Sequence, residues 1–590
     1  MKQETILKRI CVLLLAVCFA CNDTSDPTSS DDDDNTNTDP TEAIVYTIAD
    51  ALAANQANHE VDADYTWSES DVITITLNGT SITVNPADAA TINGSTITIT
   101  KAATYSISGT LADGQVIVDT EDETTVRLIF NGVDISNSSS APVYIASAEK
   151  TVIVLADNTT NILSDAKTYV YASADEDEPN AALFSKGDLT IYGNGSLTVK
   201  GNYNDAIASK DGLLIKSGTY SVTAADDGIR GKDYLIVENA AITINASGDG
   251  LKSDNDEEEA RGYILVEGGT LKITAGGDAL QAETDALIAG GDFTIVSGGG
   301  SSSSVGSDKS AKGLKGGINV ITEGGTFSIS SADDAVHSNG NVSINDGTFT
   351  ITSGDDGMHA DTSLGINGGE ITITKSYEGI ESALLTITDG TVHVTASDDG
   401  INGAGGNDGS STGGFTSSSS YYLYIYGGYI YVDATGDGID VNGSIVMTDG
   451  VVIVNGPTAN NNAPIDYDQT FKISGGFIAA AGSSGMAQIP GTTSTQNSVL
   501  INLSTSQAAG SLIHIQAGDG TDVVTFKPTK KYQSFAFSSP NLATGSTYDL
   551  YLGGSSSGTV TDGLYSGGSY TAGTKSTSFT ISSVSTKITK

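Results

Sequence analysis

An acidic residue followed by glycine or alanine and then an aliphatic recurs through the middle of the chain. The unit starts at Asp205, Asp227, Asp249, Asp278, Asp334, Asp356, Glu378, Asp399 and Asp437, with a degenerate copy at Lys312. Asp226, Asp333, Asp355 and Asp398 double the charge at some copies, and the commonest step is 22 residues. Carboxylates repeated on neighbouring strands lie about 4.8 Å apart. At that range they repel unless protonated, solvated or bridged by a cation. Calcium takes roughly six to eight hard oxygens, which carboxylates and turn carbonyls supply. Calcium is therefore the expected cofactor. The candidate ligands are Asp205, Asp226, Asp227, Asp249, Asp278, Asp334, Asp356 and Asp399. The competing reading makes each Asp a turn former whose side chain accepts backbone N–H bonds.

Three residues beyond the acid stand Arg230, Lys252, Gln281, Lys315, His337, His359, Glu381, Asn402 and Asp440, expected to form an outward polar stripe. Arg230 and Lys252 on consecutive repeats suit a clamp for a uronate carboxylate. Beside bound calcium, either could also abstract a proton next to a uronate carboxyl group. The plainer alternative is a pair of solvated surface cations. A second candidate surface is tyrosine-rich. In a strand, Tyr422, Tyr424 and Tyr426 share one face, with Leu423 and Ile425 on the other. If the aliphatics face in, the rings form an outward platform for a sugar's apolar face. The alternative is a cross-strand aromatic ladder. No nucleophile elbow, His-Glu-x-x-His or P-loop occurs, so no catalytic residue is assigned.

The elements that position these residues follow from a second ladder in step with the first. Gly-Gly or Asp-Gly turns, such as Gly324-Gly325, Asp346-Gly347 and Gly368-Gly369, separate short strands that alternate with period two. A repeat this small cannot bury an apolar face alone, so repeats must stack like on like. The expected fold is all-β: a right-handed parallel β-helix solenoid of 22-residue coils with a C-terminal β-rich, sandwich-like cap. The expected domains are a signal peptide at 1–20, an acidic tether at 21–43, an N-terminal β segment and cap at 44–125, the β-helix at 126–490 and a C-terminal β domain at 491–590. Strand candidates in the last are Val499–Leu503, Leu512–Ile515, Val523–Phe526, Ser534–Phe537 and Thr547–Leu552.

Composition narrows the partners. The 590 residues carry 27 basic and 72 acidic side chains, a net charge of −45, which leaves no electrostatic footprint for nucleic acid. No apolar run has the roughly 18–20 residues of a membrane span. All three cysteines lie by position 21, so the rest of the chain has no disulfide. Lys2, Lys8 and Arg9 precede an apolar stretch from Ile10 to Ala20, as in a signal peptide. Ala20-Cys21 resembles a lipobox, with Cys18 in place of the usual Leu; Cys21 is the expected lipidation site. Ser29-Ser30 and the run Asp31 to Asp34 resemble the export signals of surface-displayed lipoproteins. The expected location is the outer membrane, exposed at the cell surface and held by the lipid anchor alone.

Some stretches are more specific. They include Leu128 to Val133, Glu176 to Lys186 (Glu-Asp-Glu-Pro-Asn-Ala-Ala-Leu-Phe-Ser-Lys), Gly201 to Asp211, Asp226 to Asp233, Tyr548 to Gly554 and Gly563 to Gly568. Together they resemble the bacterial carbohydrate-binding domain-containing β-helix family, over roughly residues 70–590. The resemblance implies a polysaccharide-lyase-like fold, calcium, and cellulose or polygalacturonate as ligand. The leading expectation is a non-catalytic surface lipoprotein that binds polysaccharide. The alternatives are a calcium-dependent polysaccharide lyase and a structural or adhesive rod.

Overall fold

Strict alternation of apolar and polar residues makes one-sided strands, and the repeat decides which strands become neighbours. The computed structural model describes residues 46–306, 309–405 and 420–590. The signal segment, Cys21 and the acidic run at 31–34 lie outside these residues. Within Asn341–Ser353, Phe349 and Ile351 are buried while Thr348 and Thr350 are exposed. The strand pairs in parallel with the repeat on either side, setting Phe349 opposite Phe327 and Ile371. Phe293, Phe327 and Phe349 stack with centroids 4.7 and 4.3 Å apart and nearly parallel rings. Like residues therefore stack on like down a continuous core.

Two kinds of glycine permit this. Gly347 sits at φ +133° and Gly369 at +85°, where a side chain is strained, and each bends the chain between two strand directions. Gly357, after a ladder acid, has an ordinary φ but no room. A Cβ there would lie 2.5 Å from the Gly379 carbonyl oxygen of the next repeat.

The expected fold class needs correction. The described chain is 54% strand and 3% helix, all-β as expected, but its main sheet is a closed six-strand parallel barrel with extra strands, not a β-helix solenoid. The reason is physical. A repeat specifies which strands bond and in what register, but not how a row of bonded strands closes.

The two ends depart from the repeat. Thr47 caps a seven-residue helix, Ile48–Ala54, reciprocally with Asp50. Ile48 and Ala51 pack on an outward apolar row that includes Leu214, Tyr234, Tyr263, Leu287 and Ile321. From Asn345, which donates to the Tyr46 carbonyl, the segment runs back across the strands to Asp64, whose carbonyl accepts from Arg127. At the other end, Phe477–Gly482 pairs antiparallel with Tyr532–Ser538, which joins these strands to the main sheet. A separate six-stranded antiparallel sheet contains Ile513–Ala517, Asp522–Phe526 and Thr547–Leu552. It packs on a second core around Phe526, Phe535, Phe537 and Phe579.

Candidate functional site

Asp205 opens the strand Asp205–Ser209, and each later ladder acid lies in the turn before a short strand whose first aliphatic is buried, as in Ile229–Gly231 and Leu251–Ser253. Parallel pairing of these strands sets the stripe in register: Arg230, Lys252, Gln281, Lys315, His337, His359, Glu381, Asn402, Asp440 and then Asp466.

The acids first serve the backbone. The Oδ1 of Asp205 accepts from the N–H of Asp227 (3.2 Å), Asp227 from Asp249 (2.8 Å) and Asp249 from Asp278 (2.8 Å). Asp278 accepts from Lys312 (2.6 Å), Asp334 from Asp356 (2.9 Å), Asp356 from Glu378 (3.2 Å) and Asp399 from Asp437 (2.5 Å). One oxygen of each ladder aspartate thus ties its repeat to the next; among the described residues, Glu378 accepts no such bond. Asp226, one position earlier, is exposed and belongs to a close group with Asp205 and Asp227.

The second oxygen meets a cation the chain itself supplies, over the first half of the stripe. Lys252 Nζ lies 3.0 Å from Asp227 Oδ2 and 2.8 Å from Asp249 Oδ2. Lys315 approaches Asp278 (3.4 Å), and both Lys312 (2.7 Å) and His337 (2.9 Å) reach Asp334 Oδ2. Arg230 forks onto Asp254 through Nε and Nη2, at 2.9 to 3.0 Å. Arg230 and Lys252 are therefore engaged in ion pairs, where solvated or glycan-directed cations were expected. Burial works against the Lys252 ammonium, but the Asp249 and Asp227 carboxylates outweigh it and raise its pKa. That is the wrong direction for a base. Lys252→Gln is expected to cost about 1 kcal/mol, read as a lower denaturation midpoint with no change in fold. Arg230, Lys252, Lys309 and Lys315 also line a groove of 740 Å³ beside the ladder.

His337 and His359 are buried, not outward, with rings stacked 5.1 Å apart. His359 Nδ1 faces Asp356 (3.2 Å) and Glu381 (3.4 Å), and Nε2 faces Asp361 (3.1 Å). Burial disfavours its charge, yet these carboxylates push its pKa up to about 12. As an imidazolium it acts as a further built-in cation, so the Asp356, His359 and Glu381 group does not suit a metal.

Beyond His359 the stripe changes sign. Glu378, Glu381, Asp399, Asp437, Asp440 and Asp466 follow with no Lys or Arg ion pair among the described residues. Oxygens of Asp399, Asp437 and Asp440 lie within 4.8 Å of one another. Burial and then mutual repulsion raise Asp440 to about 7. Burial also lifts Asp399 to about 6 and Asp437 to about 8, against backbone hydrogen bonds that pull the other way. Asn402, 8% exposed, sits between Glu381 and Asp440 in the register. Its amide donates to Glu378 (2.6 Å), while its Oδ1 is buried with no hydrogen-bond partner. An orphaned carbonyl oxygen amid carboxylates is a donor set that fits a hard cation such as calcium. Of the ligands expected from sequence, only Asp399 lies here. Asn402, Asp437, Asp440 and Asp466 were missed, though the change of sign is legible once the stripe is read to its end.

The three tyrosines do share one face and stack at 5.2 and 5.7 Å, with Leu423 and Ile425 in the core. Tyr424 is only 2% exposed, however, so the centre of the expected platform is closed to a sugar. Tyr377, 48% exposed, immediately precedes Glu378 and is the open aromatic beside the bare acids.

A family model for carbohydrate-binding domain-containing proteins matches residues 93–357, a narrower span than the motifs suggested. A protein of that description from Acetivibrio thermocellus is 37% identical over 117 residues, 20% of this chain and 41% of its own length. The chain thus spans less than half of that relative. A solved polysaccharide lyase-like protein from C. thermocellum, a gadolinium derivative, is 36% identical over 38% of this chain and 92% of its own, with a TM-score of 0.37. Over residues 93–357, the chain matches the model of the carbohydrate-binding domain-containing protein family.

Proposed function

We propose that the protein is a non-catalytic surface lipoprotein, anchored through Cys21, that binds an anionic polysaccharide with the help of calcium. The observation that carries this reading is the change of sign along the stripe. From Asp227 to Asp356 each ladder acid pairs with a Lys or His. From Glu378 to Asp466 no Lys or Arg pairs with the acids among the described residues, His359 reaches only Glu381 of them, and Asn402 Oδ1 is left without a partner. Asp399, Asp437, Asp440 and Asn402 would hold the ion, whose remaining positions would take a uronate carboxylate. That bridge offsets the repulsion between two polyanions. Arg230 to Asp440 spans eight steps of the register, about 40 Å at the strand spacing. A chain of several sugars can therefore run from the cation-lined groove to the bare acids, passing Tyr377.

The test is retention on calcium pectate and on insoluble cellulose, with and without chelator. Pectate retention is expected to fall at least tenfold with chelator, and to the same level in Asp437→Asn with calcium present. Retention indifferent to both would overturn the cation bridge. No retention on any polysaccharide would favour a structural rod.

A further inference from the structure

A second cleft lies upstream on the same row, where Ile117, Tyr144, Phe184 and Ala208 precede Arg230 in the register. It has a volume of 510 Å³ and is lined by Tyr144, Ile117, Tyr171 and Val170. Its aromatic wall is rigid. The Tyr171 hydroxyl donates to the carbonyls of Asp177 (3.1 Å) and Pro179 (2.9 Å), closing the loop onto itself. Behind it, Tyr169 is pinned by Asp165 (2.8 Å) and stacks on Tyr203 at 4.4 Å. Val170 is 75% exposed, although its own N–H donates to the Ser139 carbonyl and fixes the backbone. Val170 and the 38%-exposed Tyr203 are two of eight large apolar side chains left exposed among the described residues, and both belong to this corner.

The charge of the cleft selects its occupant. Asp175, Glu176 and Asp177 line it, and the basic residue on its wall, Lys186, is paired with Glu178 at 3.1 Å. A uronate would meet uncompensated carboxylates here. A neutral pyranose would not: its C–H face suits the tyrosine ring and Val170, and its hydroxyls can donate to the carboxylates.

We infer that this cleft is a cation-independent subsite for a neutral glycan, in which a pyranose ring packs on Tyr171 and Val170 while its hydroxyls bond to the acidic loop. It rests on the polysaccharide reading above for the class of ligand, and not on calcium.

The test is calorimetric titration of the full chain, in chelator, with β-1,4-linked neutral hexasaccharides of glucose or mannose and with a galacturonate hexamer. Binding of a neutral hexasaccharide is expected, with the galacturonate at least about tenfold weaker. Val170→Asp keeps the fold, since its side chain is exposed, and should weaken neutral binding about tenfold, a loss of roughly 1.4 kcal/mol. Tyr203→Ala should weaken it less. Absence of neutral binding, wild-type affinity in Val170→Asp, or galacturonate binding as tight as neutral would each overturn the inference. Because chelator is present throughout, loss of the calcium bridge alone would not change these results.

Discussion

Asp334→Ala is expected to destabilise the protein by about 3–5 kcal/mol, the usual cost of removing one partner from a buried ion pair. Asp334 is fully buried. Its Oδ1 accepts the Asp356 N–H at 2.9 Å, and its Oδ2 meets Lys312 at 2.7 Å and His337 at 2.9 Å. Alanine removes the tie between two repeats and strips Lys312 of its closer carboxylate; Asp333, at 3.1 Å, remains. Asp334→Asn keeps an acceptor for the Asp356 N–H but loses the charge, so its cost should fall between alanine and wild type. The pH dependence has a definite sign. Burial raises the Asp334 pKa, but His337 and Lys312 outweigh it and hold the group below the ordinary carboxylate range. Its stabilisation is therefore present above an unfolded value near 3.8 and is lost as pH falls below it. Denaturant midpoints for the three proteins at pH 7 check this, with hydrogen exchange at the Asp356 amide as a local reading. A cost for alanine under about 1 kcal/mol would mean that the ladder is decorative.

Calcium should stabilise the chain more as pH rises, with the largest gain near pH 8. In the metal-free protein Asp399, Asp440 and Asp437 titrate near 6, 7 and 8, lifted chiefly by burial. A carboxylate whose folded pKa is raised contributes stability fully below its unfolded value near 3.9 and loses it as pH rises through the folded value. Stability from this cluster is therefore lost between about pH 4 and 8 without a cation. A bound cation takes the place of those protons, so binding releases them and tightens about tenfold per pH unit while one proton is displaced. Thermal midpoints with and without calcium at pH 5, 6, 7 and 8 test the trend. Calorimetry in buffers of different ionisation enthalpy counts the protons. A calcium effect that is flat with pH, or unchanged in Asp437→Asn, would remove these acids from the site.

Much of this architecture is legible in the chain itself. The 22-residue step names the neighbours: Phe327 beside Phe349, His337 beside His359, Lys252 beside Arg230. Alternation says which side of each strand is buried, and the glycines at 347 and 369 mark where the backbone turns. The stacked acids follow from the same arithmetic. These are local properties, set by strand period, backbone sterics and register.

Other features depend on groups that the repeat does not bring together. The seven-residue helix at Ile48–Ala54 is too short to announce itself, and it forms because an apolar row on the main sheet receives it. Tyr424 alternates as an outward residue should, yet lies buried. Arg230 was legible as a cation; its fork onto Asp254, 24 positions on, was not.

The neighbours and the register can be read from the order of residues, because strand pairing repeats with the chain's own period. Tertiary structure alone decided how the sheet closes and which carboxylates keep a cation. Both depend on side chains and strand ends meeting across a few ångströms, and a one-dimensional period does not specify those distances.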